Sequence, residues 1–256
     1  MSGEHILITG AGTGIGRAIT LGLARGGHRL SLLARRREPL EETRRLALEA
    51  GAEDCAAWPC DIRERTAVER NVSLCAERFG PLKALVANSG LGGPNSPGAE
   101  DRFDALVATN LTGTYSCLRA AEAHLVPPTE RSHLLVVSSI LARIGVPGYT
   151  GYCASKAGLL GLVRALAAEL APRQTQVNAL CPGWVDTSMA REGIDGMAAA
   201  MGLSHDEAYA QAMSAVPAGR MSSVEEVARA AAWLISDDCI GMTGQGIDLN
   251  GGAFMI

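Results

Sequence analysis

The sequence predicts an α/β fold: one domain built on a doubly wound parallel sheet of about seven strands, with a small helical lid. Three observations point there. Short apolar runs alternate with amphipathic stretches along the 256 residues, the pattern of strands buried beneath crossover helices. Thirty glycines and only 4% aromatic residues suit tight turns and close helix–sheet packing. No Pro/Ser-rich linker, charge block or repeat divides the chain, so residues 1–256 are expected to form a single domain, although that length would allow two small ones.

The elements follow in order. HILIT (5–9) reads as the first buried strand and is followed by a helix over 14–26. HRLSLLA (28–34) precedes a helix over 38–50, and CAAWPC (55–60) one over 64–79. KALVAN (83–88) leads to a long helix over 101–125, and HLLVVSS (133–139) to one over 152–171. TQVNALCP (175–182), a helix over 224–236 and GQGIDLN (244–250) complete the set. The segment 186–222 breaks the alternation: it has five methionines and no strand-like run. Methionine at helical spacing fills cores, but its adaptable thioether also suits a mobile helical lid over an apolar ligand.

Composition narrows the function classes. A net charge of −4 argues against a nucleic-acid surface. No apolar run approaches the roughly 18 residues that span a bilayer. The opening MSGEHILITG has neither a basic n-region nor an apolar h-region, so a cytoplasmic, reducing location is expected. Seven scattered cysteines (55, 60, 75, 117, 153, 181, 239) fit reduced thiols used as small buried residues. Neither they nor the five histidines fall at metal-ligand spacing, and no metal site is expected. His124 and His133 flank a loop and read as surface residues.

The turn after the first strand carries Gly10, Gly12, Gly14 and Gly16. Glycine there lets the backbone turn sharply and approach a pyrophosphate, whose charge the helix N-terminus favours. The spacing misses G-x-G-x-x-G, which would end on Ile15, and fits G-x-x-x-G-x-G through Gly10, Gly14 and Gly16. An adenosine ribose is read at the end of the second strand, where an acid would bind a free 2′-hydroxyl. This chain has Ala34 followed by Arg35, Arg36 and Arg37. A guanidinium pairs a 2′-phosphate bidentately, so NADP(H) is expected over NAD(H), with Arg35 as the phosphate contact.

Several motifs fall in one order: TGAGTGIG (9–16), CDI (60–62), ANSG (87–90), TNLTG (109–113), VVSS (136–139), YCASK (152–156) and CPGWVDT (181–187). With Ser139 thirteen residues before Tyr152, the chain resembles the short-chain dehydrogenase/reductase family over nearly its whole length. The resemblance implies a Rossmann-like fold and a cofactor held by Gly10, Thr13, Gly14, Ile15 and Gly16. It places Asp61 and Ile62 by the adenine, Asn88 and Gly90 along the channel, and Pro182, Gly183, Val185 and Thr187 at the nicotinamide. The family's usual Asn-Asn-Ala-Gly is Ala87-Asn88-Ser89-Gly90 here, which puts local rigidity in doubt more than chemistry.

Hydride delivery to a carbonyl builds negative charge on oxygen, which calls for an acid and hydrogen-bond donors. Tyr152 can give its phenolic proton, and Lys156 at i+4 lies on the same helix face. Its charge is expected to favour the phenolate and lower the phenol's pKa; the resemblance adds that it holds the nicotinamide ribose. Ser139 can donate to the substrate oxygen. Asn110 sits inside a helix that it could bend, and the resemblance implies proton transfer through water to Lys156. Tyr149 lacks a lysine at i+4 and reads as pocket wall.

Pocket walls are expected from 91–97, 140–149 and the 186–222 lid, apolar with Arg143, Arg191 and Arg220 as candidate anion contacts. PGWVDTSM and PAGR resemble aromatic-polyketide and acyl ketoreductases, and Arg173 resembles a carrier-protein contact. The substrate expected is a β-ketoacyl or cyclic keto thioester on CoA or acyl carrier protein; free hydroxy acids, sugars and steroids stay open. The family's tetramers imply burial of helices 101–125 and 152–171 between copies. Two other classes stand beside this reading: an NAD-dependent alcohol dehydrogenase, which an acid at 34 would favour, and a non-catalytic NADP-binding regulator, which would be expected to lack Tyr152 or Lys156.

Overall fold

A computed structural model describes residues 3–255; residues 1, 2 and 256, assigned to the same domain from sequence, lie outside the described residues. The seven strands are β1 (His5–Thr9), β2 (Arg29–Ala34), β3 (Asp54–Pro59), β4 (Ala84–Ala87), β5 (Ser132–Val137), β6 (Thr175–Pro182) and β7 (Gly246–Leu249). They form one parallel sheet in the order β3-β2-β1-β4-β5-β6-β7. Every residue of β1, β4, β5 and β6 is buried, which is why these strands are largely apolar on both faces.

Alternate side chains feed two cores. Ile6, Ile8, Leu30, Leu32 and Val86 face α1 (Gly14–Ala24), α2 (Arg37–Glu49) and α9 (Val224–Leu234). Leu7, Leu85, Val136 and Val177 face α3 (Arg65–Phe79), α5 (Thr114–Glu122) and α6 (Thr150–Leu170). The strand order reverses between β1 and β4, so a crevice opens at their carboxyl ends, where ligands bind in open α/β sheets.

The expected long helix over 101–125 is three pieces: α4 (Phe103–Val107), a π-helical turn (Ala108–Gly113) and α5. The π turn accommodates the buried Asn110, whose side chain is engaged with the Leu91 loop and with Ser155 of α6 rather than with its own helix. The segment 186–222 folds into α7 (Ser188–Met201) and α8 (His205–Ser214). Gly202, at φ 67, ends α7, and Ser204 with Glu207 forms a reciprocal capping box that starts α8. Its methionines divide between the two readings. Met213 is buried and Met197 and Met221 pack on Ile194, Ala198 and Ala208, while Met189 and Met201 stay about half exposed.

His133 corrects a sequence expectation. It lies on β5 and is 1% exposed, with neither ring nitrogen hydrogen-bonded, and burial lowers its pKa to about 4. The strand begins at Ser132, one residue earlier than expected, and a central parallel strand buries both faces. His124 is half-buried, with its ring 3.2 Å from the Ser73 hydroxyl. All seven cysteines are free thiols, six of them buried, and Cys153 is half-buried. Among the described residues, no helix is long and apolar enough to cross a membrane.

Candidate active site

The glycine turn is set by contacts across the reversal point. The Thr9 hydroxyl accepts from the Asn88 and Ser89 amides at 3.1 Å, and the Asn88 side-chain amide donates to the Thr9 and Gly10 carbonyls. Asn88 thus stitches β4 to the turn, and the rigidity put in doubt by Ala87 is kept by its neighbour. Gly10 adopts φ 66, and a Cβ there would lie 2.9 Å from the Asn88 amide nitrogen. At Gly16 a Cβ would lie 2.1 Å from the Gly10 carbonyl oxygen. The turn is therefore as close as backbone alone permits.

Helix α1 begins immediately after it. Thr13 provides no side-chain cap, and the first helical bond runs from the Arg17 amide to the Thr13 carbonyl. The amides of Gly14, Ile15 and Gly16 accordingly lack intrahelical partners and project at the crevice, where an anion would satisfy them. Arg17, which the sequence did not single out, turns inward. Its guanidinium donates to the Gly12 carbonyl (2.8 Å) and the Thr43 hydroxyl (3.0 Å) and pairs Glu42. It braces the turn on α2.

At the ends of β2 and β3, Arg35 is exposed and has no side-chain partner among the described residues. The Asp61 carboxylate is held by Arg63, which depresses its pKa, and Arg35 adds a smaller attraction. The Ile62 side chain is buried against Gly113, so only its backbone can meet a ligand. The same holds for Val185, which is 5% exposed. Pro182 ends β6, and Gly183 backs onto Asn250. Thr187 caps α7 through its hydroxyl, while its methyl faces Gly14.

Ser139, Tyr152, Lys156 and Asn110 converge at the ends of β4 and β5. The Ser139 oxygen accepts from the Leu141 amide at 3.1 Å, starting a short 3-10 turn (Ile140–Ala142). That bond uses a lone pair and leaves its O–H free to donate outward. Tyr152 occupies the first turn of α6, and the Lys156 ammonium lies 5.7 Å from its ring centroid. The ammonium donates to the Val137 carbonyl at 2.9 Å. The position of Gly90 brings the loop against both groups: a Cβ there would lie 3.2 Å from the Asn110 oxygen and 3.5 Å from Lys156 Nζ.

Asn110 accepts from the Leu91 amide at 2.7 Å and donates to the Leu91 carbonyl and the Ser155 hydroxyl. Ser155 in turn donates to the Tyr152 carbonyl at 2.8 Å, and Ser138 donates to the Lys156 carbonyl at 3.0 Å. These two serines, which sequence reasoning passed over, fix α6 to β5 and to the π turn. Both lie beside residues that were singled out, and only the polar run SSI…SK hints at them.

The electrostatics correct one expectation. Burial raises the Tyr152 pKa, with the Ser139 hydroxyl working against it, and burial lowers that of Lys156 to about 8. Burial outweighs the pull of the neighbouring Lys156, whose ammonium donates to the Val137 carbonyl, so the net shift of the phenol is upward. The phenol is held protonated.

Around the site, Tyr149 is half-buried at the start of α6. Met189 of α7 lies over Gly92. The three arginines expected as anion contacts are each matched by an acid: Arg143 by Asp248 (3.3 Å), Arg191 by Asp186 (2.8 Å) and Arg220 by Glu226 (2.7 Å). The basic mouth is thereby neutralised. Arg173 approaches Glu122 more loosely, at 3.9 Å.

The chain is similar to known proteins over nearly its whole length. The family described as enoyl-(acyl carrier protein) reductase matches residues 10–253. A 3-oxoacyl-(acyl-carrier-protein) reductase, FabG, of Staphylococcus aureus is 31% identical over 255 residues, covering 98% of each chain. A variant of actinorhodin polyketide ketoreductase, solved with NADPH, superposes with a TM-score of 0.93 at 33% identity, over 99% of each chain. An NAD+-bound xylitol dehydrogenase superposes with a TM-score of 0.91 at 28% identity, over 98% of this chain and 99% of its own.

Proposed function

The chain belongs to the short-chain dehydrogenase/reductase family and is an oxidoreductase, and on that premise we propose that it reduces a ketone to a secondary alcohol with NADPH. The observation that carries the reading is the convergence of the Ser139 hydroxyl, the half-buried Tyr152 phenol and the buried Lys156 at the carboxyl ends of the strands.

The residues present fit a dinucleotide: the turn has no room for a Cβ at Gly10 or Gly16, and the first amides of α1 are open. Gly10, Thr13, Gly14, Ile15 and Gly16 would hold the pyrophosphate and Arg35 the 2′-phosphate. Asp61 and the Ile62 backbone would hold the adenine, and Asn88 and Gly90 would line the channel. Pro182, Gly183, Val185 and Thr187 would hold the nicotinamide, and Tyr152 and Lys156 its ribose. When bound, the reduced nicotinamide supplies a hydride for the substrate carbonyl carbon.

The chain's own part is to polarise the carbonyl and to protonate its oxygen. Ser139 donates a hydrogen bond to that oxygen, stabilising the charge that builds there. Tyr152 transfers its phenolic proton to it as the C–O double bond becomes single. Lys156 stabilises the resulting phenolate, and Asn110 holds the loop at Leu91 against α6 while protons are resupplied through water to Lys156. Ala34, where an acid would repel a 2′-phosphate, and the unpartnered Arg35 support NADPH over NADH.

A β-ketoacyl or cyclic keto thioester is the substrate class we favour, on the strength of the relatives' names. With the flanking arginines paired, no charged contact separates the two thiols, and CoA and carrier protein stand equal. The 186–222 segment serves as the substrate lid. A homotetramer, formed through the helices of 101–125 and 152–171, is the assembly the resemblance implies, and the expected location is cytoplasmic. A panel of β-ketoacyl-CoA, cyclic ketone and sugar substrates, followed by NADPH absorbance, tests the reading; turnover confined to oxidation of free polyols with NAD would overturn it.

A further inference from the structure

Helix α6 carries both Tyr152 and Lys156, yet its own sequence provides no N-terminal cap: Tyr149, the capping position, makes no side-chain bond there. Its leading amides must be satisfied some other way, since buried unpaired N–H groups are costly. The Gly151 amide donates to the side-chain oxygen of Asn95, 56 residues upstream, at 2.8 Å. The Thr150 hydroxyl lies within reach of both ends of the same amide, at 3.0 and 3.2 Å. Asn95 is 7% exposed, and its backbone amide donates to the Gly148 carbonyl at 2.8 Å.

The remaining amide hydrogen of Asn95 goes to Asp101, at 3.0 Å, whose carboxylate also accepts from the Phe103 amide at the start of α4. One side chain therefore ties the substrate-side loop, α4 and the first turn of α6 together. Close packing leaves no slack, because a Cβ at Gly151 would lie 3.1 Å from Leu106 and Phe103 and 3.2 Å from the Asn95 oxygen. The other end of the loop is pinned at Leu91 by Asn110.

We propose that Asn95 is a positioning residue for Tyr152, capping α6 from the pocket loop and so setting where the phenol stands relative to Ser139 and the substrate. This rests on Tyr152 as the proton donor. Loss of the cap loosens the turn that bears Tyr152 and admits more water around the half-buried phenol. Misplacement of a reacting group by about 1 Å costs up to about 100-fold in rate. Hydration also removes the cause of the phenol's raised pKa. The alkaline fall of the reductive rate, which follows loss of the phenolic proton, then moves to lower pH.

The test uses the ketone that turns over fastest in the panel above. Asn95→Ala is expected to bind NADPH like the parent, to lose about 10- to 100-fold in kcat, and to show the alkaline limb displaced to lower pH. Asn95→Asp sets two carboxylates side by side and is expected to be impaired. The exchange Asn95→Asp with Asp101→Asn restores an acceptor for Gly151 and a donor between the two positions, and is expected to recover kcat to within about threefold. A folded Asn95→Ala with parental kcat and pH profile overturns the proposal, as does an exchange no better than Asn95→Asp alone. That second comparison decides the matter if Asn95→Ala does not fold. Tyr152→Phe run alongside separates the two claims: if it is inactive while Asn95→Ala is unimpaired, only the positioning role falls, whereas an active Tyr152→Phe removes the acid itself.

Discussion

The ammonium of Lys156 donates to the carbonyl of Val137 at 2.9 Å, so the charge nearest the Tyr152 phenol is anchored on β5 rather than on the phenol itself. Burial then dominates both groups: the phenol stays protonated and the lysine's pKa falls to about 8. For a reductase this is the useful state, because the acid must hold its proton until charge develops on the substrate oxygen.

The same burial has a stability consequence. The folded pKa of Lys156 lies below its unfolded value, so between about pH 8 and 10.5 the unfolded chain binds the extra proton and stability rises with pH. Below pH 8 the full penalty is present. Lys156→Met is expected to raise the unfolding free energy at pH 7 by on the order of 1–3 kcal/mol, an advantage that shrinks toward pH 10. Denaturant melts of both proteins at the two pH values check this.

His133 gives the opposite end of the pH scale. Its folded pKa, about 4, is below the ordinary 6.5, so stability is lost as pH falls from about 6.5 to 4, when the unfolded chain takes up the proton. His133→Leu fills the same strand position without the orphaned ring nitrogens. It is expected to be at least as stable at pH 7 and to lose less stability by pH 5, by on the order of 1–2 kcal/mol. His5, also lowered to about 4, and His28, likewise lowered by burial, remain in both proteins and contribute to the residual slope.

Arg35 stands exposed at the end of β2, with no ion-pair partner among the described residues. Arg35→Ala is expected to weaken NADPH binding by about 10-fold or more and to leave NADH within about threefold. Fluorescence titration with both cofactors reads the ratio. Equal weakening of the two would assign Arg35 elsewhere.

Gly16→Ala would put a methyl 2.1 Å from the Gly10 carbonyl. Either the turn or α1 must shift, at about 1–3 kcal/mol, and the amides at the crevice shift with it. Loss of NADPH binding greater than the fall in Tm would predict is the expected outcome of paired titration and melting.

Local signals were legible in the sequence, and long-range ones were not. Seven strands and the glycine turn followed from apolar runs bounded by turn residues, because a parallel sheet buried on both faces leaves that imprint. Tyr152 and Lys156 were found by helical spacing and by their distance from Ser139. The π turn at Asn110 was not visible, since what stabilises it is the Leu91 backbone, nineteen residues away. Asn95 and Arg17 were missed for the same reason: Asn95 acts on the Gly151 amide and Arg17 on the Thr43 hydroxyl and Pro39 carbonyl, distant partners that leave no periodic trace. The basic mouth misled because composition counts arginines without their partners Asp248, Asp186 and Glu226.

The most direct test of the central claim is the single-turnover rate of ketone reduction by Tyr152→Phe, with NADPH already bound. Phenylalanine keeps the ring and its packing and removes only the proton donor. NADPH binding like the parent's and a rate lower by about 100- to 10,000-fold are expected. A rate within a fewfold of the parent's, at the same NADPH occupancy, would contradict the claim.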